Sequence, residues 1–456
     1  MRIQSIRSRR ILVMIAATGL LTAAIGAAPV AAQDDKAGEP VVVCELAYYT
    51  GEFQSYGPSL TNDVRFPIEE VINLDPPLGR TWELISEDIG DSFEGQAAKT
   101  CIEQHGAEIL VSIAHQYRTY RDYMMETWAE NDGPLGPSVH GGAIPGNLGG
   151  KAAEPIFRAQ GLDQGLGVYG ALYANDIGAK NVVIFATEVE GFQQAADTQQ
   201  AAAEVLGINV LERIDAPAQQ SSYRTEAQKI ADLNPDAVLI QAGSVESATL
   251  IKEAAEAGLS LNWIGETGWS EAEFIGSLGA DPIPTQKSIG FATFAPNTSS
   301  PAFAFFQPLW DGQTNCADGV AACPPYDATN QYATSTYDLL VQTALAVEAG
   351  GSYKASDWAP AMNAVGEAPG EVCYTYADCL ALIREGKDID YEGITGPGDY
   401  TDGGVNAVSP AFIPFNADGT IGEPVALDPA KALELLDQVK TEAACEPADP
   451  PNECSW

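Results

Sequence analysis

After residue 40, short apolar runs alternate with longer stretches in which apolar residues recur every three or four positions. The short runs are rich in β-branched and aromatic side chains, which is typical of buried strands, and the longer stretches are typical of amphipathic helices. The pattern therefore predicts strands at 41–49, 82–89 and 109–113, and helices at 58–72, 93–105 and a third that ends near 129.

A second series of the same kind begins near residue 167. It predicts strands at 182–186, 209–214 and 237–242, each followed by a helix, and a further strand that starts at Trp263. Two successive series of strand–helix units favour an α/β fold of two lobes, each a mostly parallel sheet with helices on both faces.

The loops that follow the predicted strands are the candidate binding surface, because ligands of parallel sheets bind beyond the carboxyl ends of the strands. These loops are rich in Tyr, Trp, Ser, Thr, Gln and Gly, a composition that suits a neutral or zwitterionic solute held by hydrogen bonds and aromatic walls. They lie at 49–56, 114–118 and 141–146 in the first series and at 187–192, 243–247 and 266–269 in the second.

The first residues have the pattern of a secretory signal. Arg2, Arg7, Arg9 and Arg10 precede an uncharged run at 11–28, and small residues follow just before Gln33. This order predicts cleavage before Gln33 and export of the remaining chain. A retained membrane anchor is the alternative, since 18 uncharged residues approach spanning length. The high Ala and Gly content favours the signal.

Composition narrows the choice of partners. The chain has 456 residues, which suits two domains, and a formal net charge of −40. Such a polyanion repels nucleic acid and anionic lipid, so we expect neither as a partner. The acidic residues otherwise predict only a well-solvated surface, and the charge does not identify the ligand.

Eight cysteines in an exported chain favour disulfide bonds. Proximity along the chain suggests three short pairs, and Cys44 and Cys101 are then left to pair over a longer loop. The chain has no C-x-x-C motif and three histidines, which argues against zinc and thioredoxin-like chemistry. The short pairs are Cys316 with Cys323, Cys373 with Cys379 and Cys445 with Cys454.

Two motifs resemble ligand sites without their usual context. The run 165–170 matches G-x-G-x-x-G, but a polar segment precedes it where a dinucleotide site needs a strand. The run 388–399 resembles a calcium loop, but Asp399 stands in place of the usual bidentate Glu. We expect a glycine-rich helix start and an acidic turn, with no metal and no cofactor.

Five stretches together resemble a known family, the type I periplasmic binding proteins that serve ABC transporters of branched-chain amino acids, amides and urea. The resemblance extends to about Ile421. The stretches are Tyr-Thr-Gly at 49–51 with Tyr-Gly at 56–57, Phe-Arg-Ala-Gln at 157–160 leading to Asp163 and Gln164, Asp-Leu-Asn-Pro-Asp at 232–236, Tyr-Asp-Leu at 337–339, and Tyr-Glu-Gly through Thr-Gly-Pro at 391–397.

The resemblance implies two lobes that close on a ligand about a hinge of three strands. Residues 41–160 with 296–388 would form lobe one, and 161–295 with 389–440 would form lobe two. Residues 1–32 would be the signal and 441–456 a cysteine-containing tail. By position, the ligand would contact Thr50, Tyr56, His115, Gln116, Gly142 and Ala143 in lobe one, and Glu190, Phe192, Ser244, Glu266 and Thr267 in lobe two.

The implied function is a soluble, periplasmic or otherwise extracytoplasmic monomeric receptor that passes a small polar solute to a membrane ABC permease, without catalysis. Amino-acid binders of the family usually have an acidic residue where this chain has Thr267, and here Glu266 stands one residue earlier. The usual aromatic residue of the 187–192 loop is likewise displaced, to Phe192. An amino acid, an amide, urea and an aromatic acid therefore all stay open. So do an exported hydrolase that uses His115 and a sensing receptor of the same fold.

Overall fold

The structure is a computed structural model. It describes residues 38–439, except 52–53, 55, 91–92, 114–115, 132–135, 140–143, 145–147, 159–160, 402 and 407–408. The proposed signal, the C-terminal pair Cys445 and Cys454, and three site residues, His115, Gly142 and Ala143, lie outside this part.

The first sheet has five parallel strands in the order β2-β1-β3-β4-β5. Apolar side chains from both faces of β1 and β3 enter separate hydrophobic clusters, so the sheet is covered on both sides. Its strands are β1 (Val41–Ala47), β2 (Trp82–Asp88), β3 (Ile109–Val111), β4 (Gly136–Val139) and β5 (Phe157–Arg158), with helices α1 (Gly57–Glu70), α2 (Glu94–Glu103) and α3 (Tyr117–Asn131).

The second sheet has seven strands, two of which, β13 (Pro410–Pro414) and β14 (Val425–Ala426), come from the end of the chain. Their order is β14-β13-β10-β9-β8-β6-β7. β6 to β10 are parallel, and β13 and β14 add antiparallel pairs at one edge. The elements are α4 (Asp163–Asp176), β6 (Asn181–Thr187), α5 (Glu190–Val205), β7 (Asn209–Ala216), α6 (Arg224–Leu233), β8 (Ala237–Gln241), α7 (Ser244–Glu256), β9 (Asn262–Gly265), α8 (Ala272–Leu278) and β10 (Ser288–Phe294).

The chain then returns to the first sheet, and residues of the next four helices join one of its two clusters. These elements are α9 (Pro301–Asp311), α10 (Gln331–Gly350), α11 (Ala355–Ala364), β11 (Glu371–Cys373), α12 (Tyr376–Arg384) and β12 (Ile389–Tyr391). The last elements belong to the second sheet and its core: β13 (Pro410–Pro414), β14 (Val425–Ala426) and α13 (Pro429–Gln438).

The predicted fold class is confirmed, since both sheets are mainly parallel and helices cover them. Each strand and helix predicted above occurs within a few residues of its predicted bounds. One difference is the end of α1, predicted at residue 72. The helix ends at Glu70, and a separate 3-10 turn at Ile72–Leu74 follows.

The disulfide prediction is confirmed for three of its four pairs. Cys44 of β1 is bonded to Cys101 of α2, across 57 residues of sequence. The pairs Cys316–Cys323 and Cys373–Cys379 close short loops. The fourth pair lies outside the described residues and stays a prediction.

The segment that follows β12 is held by one buried carboxylate on α10. Asp338 accepts hydrogen bonds from the Tyr391 hydroxyl at 2.9 Å, from the Ile394 N–H at 3.0 Å, and from the N–H and hydroxyl of Thr395 at 2.7 and 2.8 Å. A β-carbon on Gly393 would lie 2.6 Å from the Asp338 carboxyl carbon, so only glycine fits there. The run 388–399, which resembles a calcium loop in sequence, thus includes the segment that Asp338 holds in place.

Replacing Asp338 by alanine should lower the free energy of unfolding by about 2 kcal/mol, because two buried backbone N–H groups would lose their acceptor. Urea unfolding measures this change. Asp311→Ala, at an exposed position at the end of α9, is the control and should change stability by less than about 0.5 kcal/mol. Equal effects from the two substitutions would contradict the anchoring role of Asp338.

Candidate functional site

The carboxyl ends of the strands in the two sheets lead into helix starts that contact each other. Tyr56 immediately precedes α1, and Ser244 is the first residue of α7. Their side chains are buried, and the Tyr56 hydroxyl lies 2.8 Å from Ser244 Oγ. We call the first sheet with its helices the first half of the fold, and the second sheet with its helices the second half. The hydrogen bond joins these halves at the carboxyl ends of the strands, where parallel sheets bind ligands.

The direction of the hydrogen bond between Tyr56 and Ser244 follows from a second hydrogen bond that Ser244 makes. Ser244 Oγ donates to the Gly268 carbonyl at 2.9 Å, and a carbonyl can only accept. Ser244 has a single hydroxyl proton, so the Tyr56 hydroxyl is the donor to Ser244. Burial, and next the Glu266 carboxylate, raise the pKa of Tyr56 well above its ordinary value, which keeps the hydroxyl protonated.

The loop after β9 is shaped by Glu266 and Gly268. Glu266 accepts the Gly268 N–H at 2.7 Å and thereby caps the short 3-10 helix Thr267–Ser270. A β-carbon on Gly268 would lie 2.5 Å from the Tyr56 hydroxyl and 2.7 Å from Glu266 Oε1. Gly268 therefore allows Tyr56 and Glu266 to approach the same point.

Three neighbouring strands of the second sheet end in buried polar atoms that have no hydrogen-bond partner within the described part of the chain. They are Thr187 Oγ1 at the end of β6, Gln241 Nε2 at the end of β8, and Thr267 Oγ1 just beyond β9. The strand register places Gln241 beside Ala186, the neighbour of Thr187. Buried polar groups are normally paired, so unpaired groups along one sheet edge indicate a place for an external partner.

A second contact between the halves involves the start of α10. Gln331 donates through Nε2 to Ser270 Oγ at 3.1 Å, and its Nε2 also lies 3.5 Å from the Thr267 carbonyl oxygen. Asn330, the residue before Gln331, forms a hydrogen bond with Glu271 of the same loop. This bond opposes the rise in the pKa of Glu271 to about 7, which is caused by burial and, next, by the nearby Glu273. The loop that carries Thr267 is thus held from the first half of the fold as well.

The structure brings four of the predicted ligand residues together: Tyr56, Ser244, Glu266 and Thr267. Thr50 is exposed and bonds Asp88, through its N–H at 3.1 Å and its hydroxyl at 2.7 Å. Partial burial raises the pKa of Asp88, but hydrogen bonds from Thr50 and its neighbours outweigh this and lower it.

The other predicted residues lie at helix starts or outside the described part. Gln116 precedes α3, and its N–H donates to Glu94 Oε2 at 2.9 Å. Phe192 is half-buried in the first turn of α5. Glu190 begins α5, but its side chain lies outside the described part, as do His115, Gly142 and Ala143. Their roles as ligand contacts stay predictions.

Sequence reasoning missed Gly268, Gln241 and Gln331. Gln241 could have been found, because it is a polar residue near the end of a predicted buried strand. Gly268 lies inside a loop that was nominated. Gln331 lies more than 60 residues away from the loop that it contacts, and a single sequence carries no sign of that contact.

The G-x-G-x-x-G motif lies within α4 and serves helix packing. A β-carbon on Gly167 would meet the Ala195 carbonyl oxygen at 2.1 Å, and one on Gly170 would meet Gln199 Nε2 at 2.5 Å. These glycines let α4 approach α5 closely.

Over the described ranges, no group of three or more His, Cys, Asp or Glu residues is arranged to hold a metal ion. In the same ranges, every helix is too short or too polar to cross a membrane.

Comparison with known proteins agrees with this geometry. The model of the periplasmic binding protein family matches residues 40–374, and the chain belongs to that family. A search of curated proteins gives no significant match. Among solved structures, the leucine-binding protein LivK of Thermotoga maritima is 17% identical with a TM-score of 0.68, and the match covers 86% of this chain and 99% of LivK.

Two further solved structures differ in what they bind. LivJ of Streptococcus pneumoniae, in complex with isoleucine, is 14% identical with a TM-score of 0.63, covering 85% of this chain and 99% of LivJ. A solute-binding protein from R. palustris, in complex with benzoate, is 14% identical with a TM-score of 0.62, covering 85% of this chain and 95% of that protein. At these identities the similarity shows the type I fold and leaves the solute open.

Proposed function

We propose that the chain is an exported receptor that binds a small polar solute between two lobes and delivers it to a membrane ABC permease. The observation that carries the proposal is the row of unpaired polar atoms on Thr187, Gln241 and Thr267. A solute would supply their missing partners. The lobes would be residues 41–160 with 296–388 and 161–295 with 389–440. The separate cores of the two sheets support this division except near 389, because Ile389, Tyr391, Ile394 and Tyr400 pack in the core of the first sheet. The protein would act as a monomer.

Closure is the proposed working step. The Tyr56–Ser244 and Gln331–Ser270 hydrogen bonds both join the halves, so they would form only when the lobes approach. A solute that also contacts both halves would add binding energy to the closed state alone and would shift the population towards it. The closed shape is what the permease would recognise.

The charge of the site favours a solute with a cationic group. Glu266 brings a buried carboxylate to the place where Tyr56, Ser244 and Thr267 lie. LivJ is solved with isoleucine, a zwitterion, and the R. palustris protein with benzoate, an anion. We propose an amino acid as the solute, with amides and urea as the neutral alternatives.

A thermal-shift screen over amino acids, amides, urea and aromatic acids tests this proposal, with Glu266→Gln as the diagnostic variant. The amide oxygen can still accept the Gly268 N–H, so the loop should stay folded. Affinity for an amino acid should fall by about tenfold or more, because a charge-assisted hydrogen bond is lost.

Glu273→Gln is the matched control, since Glu273 also raises the pKa of Tyr56 but is half-exposed. It should change affinity by less than about threefold. Equal losses in the two variants would mean that Glu266 acts only through long-range charge. Turnover of a bound compound, lost in His115→Ala, would instead favour the exported hydrolase.

A further inference from the structure

A cavity of about 250 Å³ is lined by residues that do not belong to the proposed solute site. Its walls come from the segment that joins β5 to α4, from the segment that joins β12 to β13, and from α4 and α13. Its lining includes Leu162, Gly165, Tyr169, Asn406, Leu433 and Leu436. Among the described residues, none that lines the cavity is charged.

The cavity adjoins both of the segments that pass between the two sheets at this point. These segments are paired with each other, since the Arg158 N–H donates to the Gly404 carbonyl at 2.7 Å and the Asn406 N–H to the Arg158 carbonyl at 2.9 Å. An occupant would therefore contact the crossing strands as well as the two helices that cover them.

Two polar side chains interrupt the apolar wall. Burial raises the pKa of Tyr169 to about 12, so its hydroxyl stays protonated and can donate or accept a hydrogen bond. Asn406 Oδ1 is buried and has no hydrogen-bond partner within the described residues. A half-turn of the amide exchanges its oxygen and nitrogen at little cost in shape. A hydroxyl or amide group on an occupant would suit these two side chains.

Glycine at position 165 leaves the space open. A β-carbon there would lie 3.7 Å from the Tyr169 hydroxyl and 3.9 Å from Leu436 Cδ2, which are ordinary van der Waals distances. A larger side chain at this position would thus enter the cavity without moving the backbone.

We propose that this cavity is a second binding site, for a small, uncharged and mainly apolar molecule that carries one hydroxyl or amide group. No charged residue lines the described part of the cavity, which disfavours ionic recognition, and the net charge of −40 disfavours anions in general. The size and the lining suit a single ring or a short branched chain. The site is independent of the proposed solute and does not rest on the proposed function.

Cyclohexanol is the probe, and its dissociation constant for the full chain is measured by ligand-observed NMR. Gly165→Leu should weaken binding by at least about tenfold, because the side chain occupies the cavity. Gly276→Leu is the matched control: Gly276 is an exposed helical glycine whose added β-carbon would meet nothing within 4 Å. It should change affinity by less than about twofold.

Two further variants test whether cyclohexanol contacts the Tyr169 hydroxyl and whether it binds in this cavity or in the solute site. Tyr169→Phe should weaken cyclohexanol binding by about threefold to fivefold, because one neutral hydrogen bond is lost. Thr267→Leu should leave it unchanged, which distinguishes this cavity from the solute site. Undiminished binding to Gly165→Leu, or binding lost in Thr267→Leu, would overturn the proposal. If Gly165→Leu fails to fold, the Tyr169→Phe and Thr267→Leu results decide it.

Discussion

Replacing Gly268 by valine should abolish the rise in melting temperature that the solute causes. The added β-carbon would lie 2.5 Å from the Tyr56 hydroxyl and 2.7 Å from Glu266 Oε1, too close for either to remain in place. The two halves of the fold would then be kept apart at the point where Tyr56 meets Ser244. For the unchanged protein, a solute at about 100 times its dissociation constant should add about 2.7 kcal/mol to the free energy of unfolding.

Opening of the cleft would relieve the clash with Tyr56, and the Glu266 carboxylate is the far end of a flexible side chain that can move aside, so the melting of the Gly268→Val protein without solute should change little. Gly276→Val provides a comparison at an exposed helical position with open space around the added side chain. It should keep the full solute-dependent shift. A Gly268→Val protein that still gains stability from the solute would show that binding does not need the Tyr56 contact.

The order of strands and helices was predictable because it depends on local patterns of apolar residues. β8 is an example: Ala237 to Gln241 are all buried, and Pro235 and a helix end precede them. The bounds were less predictable where a helix is followed directly by a 3-10 turn, as after Glu70, since apolar residues continue through both.

The site was predictable only in so far as it lies at strand ends. Ser244 and Thr267 lie in loops that follow predicted strands, and those loops were expected to bind the solute on that ground; the two residues themselves came from the family resemblance. The contacts that make them a site come from Tyr56 and Gln331, which are distant in sequence, and nothing local indicates which groups they meet. Thr50 shows the converse, because a strand-end threonine can bond a neighbouring strand end instead, here Asp88.

Stability should increase as the pH falls from about 7.5 to 5, because buried carboxyl groups in this protein favour the protonated form. Burial raises the pKa of Glu45 to about 7, although hydrogen bonds with Ser86 and Thr61 oppose the effect. Burial, and next Glu273, raise the pKa of Glu271 to about 7. The same groups in the unfolded chain have a pKa near 4.3.

The sign of the effect follows from proton binding. Between pH 4.3 and 7 the folded protein binds more protons at these two positions than the unfolded chain does, so the free energy of unfolding decreases as the pH rises. Their stabilising effect is complete below about pH 4.3 and is lost as the pH passes through about 7. Each carboxyl should account for about 3 kcal/mol across that range.

Glu45→Gln isolates this effect from the general repulsion among acidic residues. Glutamine keeps the shape and stays neutral, so the variant should exceed the unchanged protein in stability by about 3 kcal/mol at pH 7.5 and should match it near pH 4.5. Urea unfolding at constant ionic strength measures both differences. Glu83→Gln, which removes an exposed carboxyl from the adjacent strand β2, should leave the pH profile unchanged. If Glu45→Gln is no more stable than the Glu83→Gln control at pH 7.5, then ionisation of Glu45 costs the folded protein little. Protonation of Glu45 would then not stabilise the fold, and the prediction would be wrong.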